Sequence, residues 1–330
     1  MATTHGFTTF SSQMVRLLSA LYSLAIRTRN GLYDLGILRT YHTPPVVISV
    51  GNIEVGGTGK TPFTIALAGK LKENGHHVAI LTRGYKGKMA GPLLVHTNSR
   101  VEDVGDEALL MARTAGVPVI KSPDRVKGAV FAHNELGARI VIMDDGFQHR
   151  RIYRDLDIVL VARDVHTDAP LPLGLLREPA SSLKRAHLIV RTKGSTGTGL
   201  TAELAAQRLV DSRGTTYELE TLRDKAVLAI CGIASPGPFF STLEDLGAKV
   251  ETLSFPDHHR YRDRDILKIQ DRAANKDLIV TTEKDLVRLR PEALDERWRA
   301  LQVEMIVPEM NTIVEEIETV VKNRRVSRQG

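Results

Sequence analysis

A β-branched run, Val46 to Val50, breaks at Gly51-Asn52, passes the glycine-rich string E-V-G-G-T-G-K-T at residues 54–61, and enters a helical pattern that stops at Asn74-Gly75. Strand, glycine loop and helix in that order form a phosphate-binding unit and restrict the fold to an α/β class. Glycines let backbone N–H groups turn toward phosphate oxygens, and the following helix presents its positive end to the same anion. The expected nucleotide loop is therefore Glu54, Val55, Gly56, Gly57, Thr58, Gly59, Lys60 and Thr61. Lys60 would reach the β- and γ-phosphates of a nucleoside triphosphate, and the Thr61 hydroxyl would ligate magnesium. One position departs from the rule G-x-x-x-x-G-K-[ST], because Glu54 stands where the first glycine belongs. The additional Gly57 is expected to supply the missing flexibility.

Such a site needs a carboxylate near magnesium, usually at the end of an apolar strand. The string I-V-I-M-D-D at 140–145 supplies Asp144 and Asp145. Strand side chains alternate, so the two acids are expected on opposite sides, one touching the cation and the other orienting water or a neighbour. Around this pair the chain alternates strand signals at 77–81, 117–120, 156–162 and 187–191 with helical ones at 106–115 and 125–136. That is the pattern of a mostly parallel sheet flanked by helices, a P-loop NTPase-type α/β domain. The tract K-G-S-T-G-T-G at 193–199 reads as a hinge or exposed loop. A second, smaller α/β unit is expected beyond it, with strands at 226–231, 249–253, 278–281 and 301–307 and helices at 238–246, 262–275 and 311–321. The basic end, with Lys322, Arg324, Arg325 and Arg328, reads as a solvated tail.

The first 45 residues differ in character. Met14, Leu17, Leu18, Leu21 and Ala25 mark one helical face, Ser11 or Ser12 is placed to cap its start, and four arginines (Arg16, Arg27, Arg29, Arg39) outnumber the one acid, Asp34. Two readings fit: a helix docked on its own domain, or a basic amphipathic helix lying in a membrane interface. Arg16 and Arg27 interrupt the apolar run, which fits a retained segment better than a cleaved leader. No stretch reaches the roughly 18 apolar residues of a membrane span. A net charge of +6 spread over 330 residues gives little support for nucleic-acid binding. The single cysteine, Cys231, excludes an internal disulfide and a multi-cysteine zinc site, which fits a reducing compartment. Three parts are thus expected: an N-terminal amphipathic segment at 1–45, a nucleotide-binding domain at 46–220, and a smaller domain at 221–330 that closes over the cleft.

Two nucleotide-enzyme classes fit poorly. The guanine-reading pattern Asn-Lys-x-Asp is approached only by Asn275-Lys276-Asp277-Leu278, which lacks the final acid. Partitioning and positioning ATPases place a lysine just before the glycine loop, where Val55 stands, so a membrane-associated ATPase of that type is the weaker alternative.

Over nearly its whole length the chain resembles the tetraacyldisaccharide 4′-kinase family, the lipid A kinases of Gram-negative bacteria. The strings that carry the resemblance are S-V-G-N at 49–52, G-G-T-G-K-T-P at 56–62, T-R-G-Y at 82–85, G-D-E at 105–107, D-D-G-F-Q-H at 144–149, L-P-L-G-L-L-R-E-P at 171–179, F-P-D-H at 255–258 and T-E-K-D at 282–285. The family also lacks glycine at the position of Glu54. The resemblance implies transfer of the γ-phosphate of ATP, with Mg²⁺, to the 4′-hydroxyl of a lipid A disaccharide 1-phosphate, forming lipid IVA. It implies a peripheral enzyme on the cytoplasmic face of the inner membrane, held there by its N-terminal helix, and a monomer is expected. Asp106 is then the candidate base, a weak base but a good orienter of the hydroxyl, and His258 the partner that tunes it. Asp106 at a helix start equally fits a cap. Glu107 and Gln148 would help hold magnesium or its waters, and Arg125 would neutralise charge on the transferring phosphoryl group. Residues 83–85 and 171–179 are expected to wall the lipid-sugar cleft, and Lys284 is left between a nucleotide and a hinge role.

Overall fold

The structure, a computed structural model, describes residues 5–192 and 199–326. The expected hinge at 193–199 lies, except for Gly199, outside those residues. The chain opens with helix α1 (His5–Asp34) and enters β1 (Val46–Asn52), α2 (Lys60–Glu73), β2 (Val78–Thr82), β3 (Leu93–Leu94), α3 (Val101–Val104), α4 (Asp106–Thr114), β4 (Val119–Lys121), α5 (Arg125–Leu136) and β5 (Ile140–Asp144). It continues through β6 (Leu156–Val161), β7 (Leu188–Thr192), β8 (Leu200–Val210), β9 (Thr216–Tyr217), β10 (Ala226–Cys231), α6 (Gly237–Asp245), β11 (Lys249–Ser254), α7 (Asp263–Arg272), β12 (Leu278–Thr282), α8 (Glu283–Leu286), β13 (Trp298–Ile306) and α9 (Met310–Val326).

The strands form one path, β11-β10-β12-β13-β8-β7-β6-β1-β5-β2-β4-β3, with β9 attached to β8. Pairing is parallel except at β13–β8, β8–β9 and β3–β4, so the expected α/β architecture with a mostly parallel sheet holds. β1, β5 and β6 are buried along their whole length, as strands covered by helices on both faces must be. α2 and α4 pack on one face of the first half with Val50, Ile80 and Ile142, and α5 packs on the other with Val47, Ala79 and Met143. In the second half α6 and α7 cover opposite faces around Val227 and Ile230.

β8 was not visible in the sequence. Its first residues pair in parallel with β7, and the rest pairs antiparallel with β13, so this one strand stitches the two halves into a continuous sheet. α9 returns from the second half and buries Ile313, Val314, Ile317 and Val321 in the first-half core. The expected solvated tail is corrected in part: Arg324 lies in α9 and binds Asp155 and the Thr43 carbonyl, while Arg328 lies outside the described residues.

α1 starts at His5, so the expected start at Ser11 or Ser12 falls inside the helix. Its inner side is tied to residues 170–178: Ser19 Oγ donates to the Pro170 carbonyl (2.6 Å), Tyr22 Oη to the Arg177 carbonyl (2.8 Å), and Asn30 Nδ2 to Glu178 (2.8 Å). Its outer side leaves Met14, Leu17, Leu18, Leu21 and Leu24 at about half exposure or more. The helix is thus docked on its own domain and still presents a bare apolar face.

Candidate active site

The glycine loop leaves the end of β1 and closes onto α2 through Gly59, whose φ of 83° is one that only glycine adopts freely. A Cβ there would lie 2.6 Å from Met305 Cε, so the loop packs directly under β13. Residues 55–61 line a cleft of about 1410 Å³ between the two halves. Asn52 holds the loop's curvature, donating from Nδ2 to the Glu54 carbonyl (2.8 Å) and to Thr58 Oγ1 (3.0 Å).

Glu54 does not line the cleft, which corrects its assignment to the nucleotide. Its fully buried side chain accepts from the Ala162 amide (2.7 Å) and pairs with Arg163 (2.7 Å), while the Val55 amide donates to the Leu175 carbonyl (2.7 Å). The carboxylate pins the start of the loop to the end of β6 and so replaces glycine flexibility with a fixed anchor.

Asp144 and Asp145 do not fall on opposite sides. Alternation fails because Asp145 lies one residue beyond β5 at φ 52°, and that left-handed turn brings both acids to α2. Thr64 Oγ1 donates to Asp144 Oδ1 (3.3 Å), and Lys60 Nζ sits 3.5 Å from Asp145 Oδ1. Arg177 Nη1 donates to both oxygens of Asp145 (3.1 Å each). Burial, reinforced by Glu107 and Asp145, pushes the Asp144 carboxyl up to about 7. Burial acts the same way on Asp145, but Lys60 and Arg177 outweigh it and hold that carboxyl below the usual range. Arg125 is buried at the start of α5, donating to the Ser122 carbonyl (2.7 Å) with Nε unpartnered, and burial lowers its pKa to about 10. A dry guanidinium that forms no salt bridge among the described residues, with Asp144 and Asp145 nearby and on the wall of the cleft, suits an anion.

Across the cleft, Gly105 at φ 92° turns the chain into α4, with no room for a Cβ because the Tyr85 carbonyl would lie 2.4 Å away. Asp106 opens that helix, 5 % exposed, behind a wall formed by Glu107 and His258. His258 Nδ1 lies 2.8 Å from Asp106 Oδ2, so the pair implied by the resemblance is brought together across the two halves. The Tyr85 ring meets the imidazole edge-on at 5.5 Å. Arg288, which sequence reasoning missed, donates to the same Oδ2 through Nε (2.8 Å) and Nη2. Burial opposes ionisation of Asp106, but Arg288, Lys284 and His258 overcome it and keep the carboxyl low. Lys284 pairs with Glu107 (3.0 Å), which places it at the junction between the halves and on the cleft wall.

Gln148, expected near magnesium, does not line the cleft. Its Nε2 donates to the Asn52 carbonyl (2.7 Å) and braces the end of β1. Arg177 lies in the 171–179 string, and its role depends on a contact with Asp145, 32 residues away. Arg288 had a faint signal, standing four residues after Lys284 and so one helical turn along.

The family model described as tetraacyldisaccharide-1-P 4′-kinase matches residues 11–322. A tetraacyldisaccharide 4′-kinase from Syntrophus aciditrophicus is 38% identical over 320 residues, covering 84% of each chain. One from Aquifex aeolicus is 39% identical over 288 residues, covering 82% of this chain and 88% of that one. The crystal structure of LpxK from Aquifex aeolicus in complex with ATP superposes with a TM-score of 0.79 at 34% identity, covering 94% of this chain and 99% of that one. With phosphate loop, paired acids and cross-cleft Asp–His contact in the places the motifs require, the chain belongs to the tetraacyldisaccharide 4′-kinase family.

Proposed function

We propose that the chain transfers the γ-phosphate of ATP to the 4′-hydroxyl of a tetraacyldisaccharide 1-phosphate, giving lipid IVA and ADP. The observation that carries this reading is that the phosphate loop and His258, whose Nδ1 lies 2.8 Å from the buried Asp106, line a single cleft. Backbone amides of residues 56–60 and the start of α2 would cradle the phosphates, with Lys60 at the bridging and terminal groups. Arg125 would meet charge on the transferring phosphoryl group. Apolar walls from Ile65, Val303 and Met305 suit the nucleobase. The sugar oxygen bonds to the γ-phosphorus as the bond to the β-phosphate bridging oxygen breaks, and the hydroxyl proton passes to the Asp106–His258 pair.

Magnesium fits the donors present. Asp144 is a buried carboxylate whose side chain bonds only Thr64 among the described residues, and Thr61 adds a hydroxyl on the same wall. Hard oxygen donors, few in number and completed by phosphates and water, are the usual set for this ion. Asp144 and Thr61 would hold it, with Glu107 close enough to contribute to the field at Asp144. When bound, the ion neutralises phosphate charge.

The lipid acceptor explains the bare face of α1. No described helix is long and apolar enough to cross a membrane, so attachment would be peripheral, with Leu17, Leu21 and Leu24 in the acyl boundary of the cytoplasmic leaflet and the arginines at anionic headgroups. The expected nucleotide domain at 46–220 and smaller domain from 221 onward would then supply the two walls of the cleft, with β8 and α9 holding them together.

The test is incubation with γ-labelled ATP, magnesium and the disaccharide 1-phosphate lipid, followed by chromatography. Label is expected on the lipid, and Lys60→Ala and Asp106→Ala should each reduce transfer about 100-fold or more. ATP turnover without labelled lipid would establish the positioning-ATPase alternative instead, which family membership disfavours.

A further inference from the structure

We infer that Arg288 is a positioning residue for phosphoryl transfer: it fixes the Asp106 carboxylate by filling one of its oxygens, and it is itself fixed from the second half of the molecule. The inference rests on the kinase reading above. A carboxylate offers about two acceptor positions on each oxygen. Oδ2 of Asp106 receives His258 Nδ1 at 2.8 Å and Arg288 through Nε at 2.8 Å and Nη2, which leaves it no position for an incoming hydroxyl. Among the described residues Oδ1 accepts only from the Glu107 amide, at 3.0 Å, and keeps one position open. The guanidinium thereby decides which oxygen can meet the acceptor, and it holds the plane of the carboxylate at the angle that keeps His258 Nδ1 in line.

Arg288 can do this because its far side is anchored. Nη1 donates to Asp285 Oδ1 (3.0 Å) and to the Gly232 carbonyl (2.9 Å). Asp285 is fully buried and is held in turn by the Gly232 amide (3.0 Å), Tyr261 Oη (3.0 Å) and Thr282 Oγ1 (2.7 Å). These anchors come from the second half, Gly232 just after β10, Asp285 in α8, Tyr261 just before α7 and Thr282 at the end of β12, whereas Asp106 begins α4 in the first half. The Arg288 side chain is only 5 % exposed, so water does not compete strongly for its donors. A planar fork with donors on three nitrogens can bridge two carboxylates in this way, and a lysine ammonium, a point charge on a flexible stem, cannot hold the same plane.

A plain structural ion pair between the halves would predict lost stability with unchanged chemistry in the molecules that remain folded. The test is therefore kinetic: transfer to the disaccharide lipid by wild type, Arg288→Ala, Arg288→Lys and Asp285→Asn, each with its ATP affinity and its response to added guanidinium ion. Arg288→Ala is expected to lose about 100-fold in kcat, the scale of a misplacement near 1 Å, with ATP affinity changed less than about threefold, within the scatter expected away from phosphate contacts. Guanidinium should restore part of the Arg288→Ala rate and none of the Asp106→Ala rate. Arg288→Lys and Asp285→Asn, which perturb the fold less, should lose about 10-fold without rescue. A kcat for Arg288→Ala or Arg288→Lys within threefold of a working wild type, a loss that follows ATP affinity, or no rescue by guanidinium would overturn the inference alone. Failure of wild type to label the lipid would overturn the kinase reading and this inference with it.

Discussion

Asp144 is buried on the cleft wall, and its titration gives a test at the scale of one residue. Burial, with Glu107 and Asp145 nearby, raises its pKa from 3.8 to about 7. An acid whose folded-state value lies above its unfolded one binds a proton more tightly when folded, so its contribution to stability is complete below about 3.8 and disappears as pH rises through about 7. Magnesium-free protein should therefore lose thermal stability from about pH 4 to about pH 7 in a way that Asp144→Asn flattens; identical pH profiles of Tm for the two proteins would contradict the assignment. Magnesium competes with the proton for the same oxygen, so its affinity, measured by calorimetry, should rise across that interval. That Lys60, Thr61 and Asp144 gather on one cleft was legible in the sequence, because their placement follows from spacing within a strand, a loop and a helix. Glu54, Gln148, Arg177 and Arg288 were not, since each takes its role from a partner far along the chain. Asp145 shows the limit within a single motif, where one left-handed residue undid an argument from strand alternation.

At the scale of elements, the stretch 170–178 joins α1 to the phosphate loop. Tyr22 bonds the Arg177 carbonyl on one side, while the Arg177 amide donates to the Ile53 carbonyl on the other. Deleting α1 would remove this support together with the apolar face, so substitutions separate the two roles better than truncation does. Leu17, Leu21 and Leu24 changed together to serine forfeit about 1.5–3 kcal/mol for each side chain that lipid would fully bury. Vesicle co-sedimentation should fall about 100-fold or more with ATP affinity intact, and undiminished binding would remove the face from the membrane account. Glu178 tests the other role. Fully buried between Arg185 (2.5 Å) and Asn30, it leaves Arg185 half-enclosed and unpaired when changed to alanine, so urea unfolding should show a loss of about 3 kcal/mol. The helices at 106–114 and 125–136 and most strands were readable from periodicity. β8 was not, because Leu-Thr-Ala-Glu-Leu-Ala-Ala-Gln is rich in helix formers, and only the ladders with β7 and β13 make it a strand.

For the whole molecule the question is whether two halves joined by one strand unfold separately. Their cores are distinct, the first gathered around Phe63, Leu67 and Ile142 and the second around Val227, Leu243 and Ile230. Independent unfolding would be natural if the connection were a flexible linker. Two features argue for coupling: β8 is shared between the ladders of both halves, and α9 leaves the second half to complete the core of the first. Ile317 in α9 is fully buried there, so Ile317→Ala should remove about 2–4 kcal/mol from the first half. The single tryptophan, Trp298, is 1 % exposed in the core of the second half, packed with Ile230 and Ile279. Its fluorescence therefore reports on the half that the substitution does not touch. If sheet and returning helix make one cooperative unit, the denaturant midpoint by Trp298 fluorescence will fall together with that by far-UV circular dichroism. If the halves are independent, the fluorescence midpoint will stay at its wild-type value while part of the circular dichroism transition moves to lower denaturant. Coincidence is expected, because a cleft lined by both Lys60 of the first half and His258 of the second needs both walls to keep one frame.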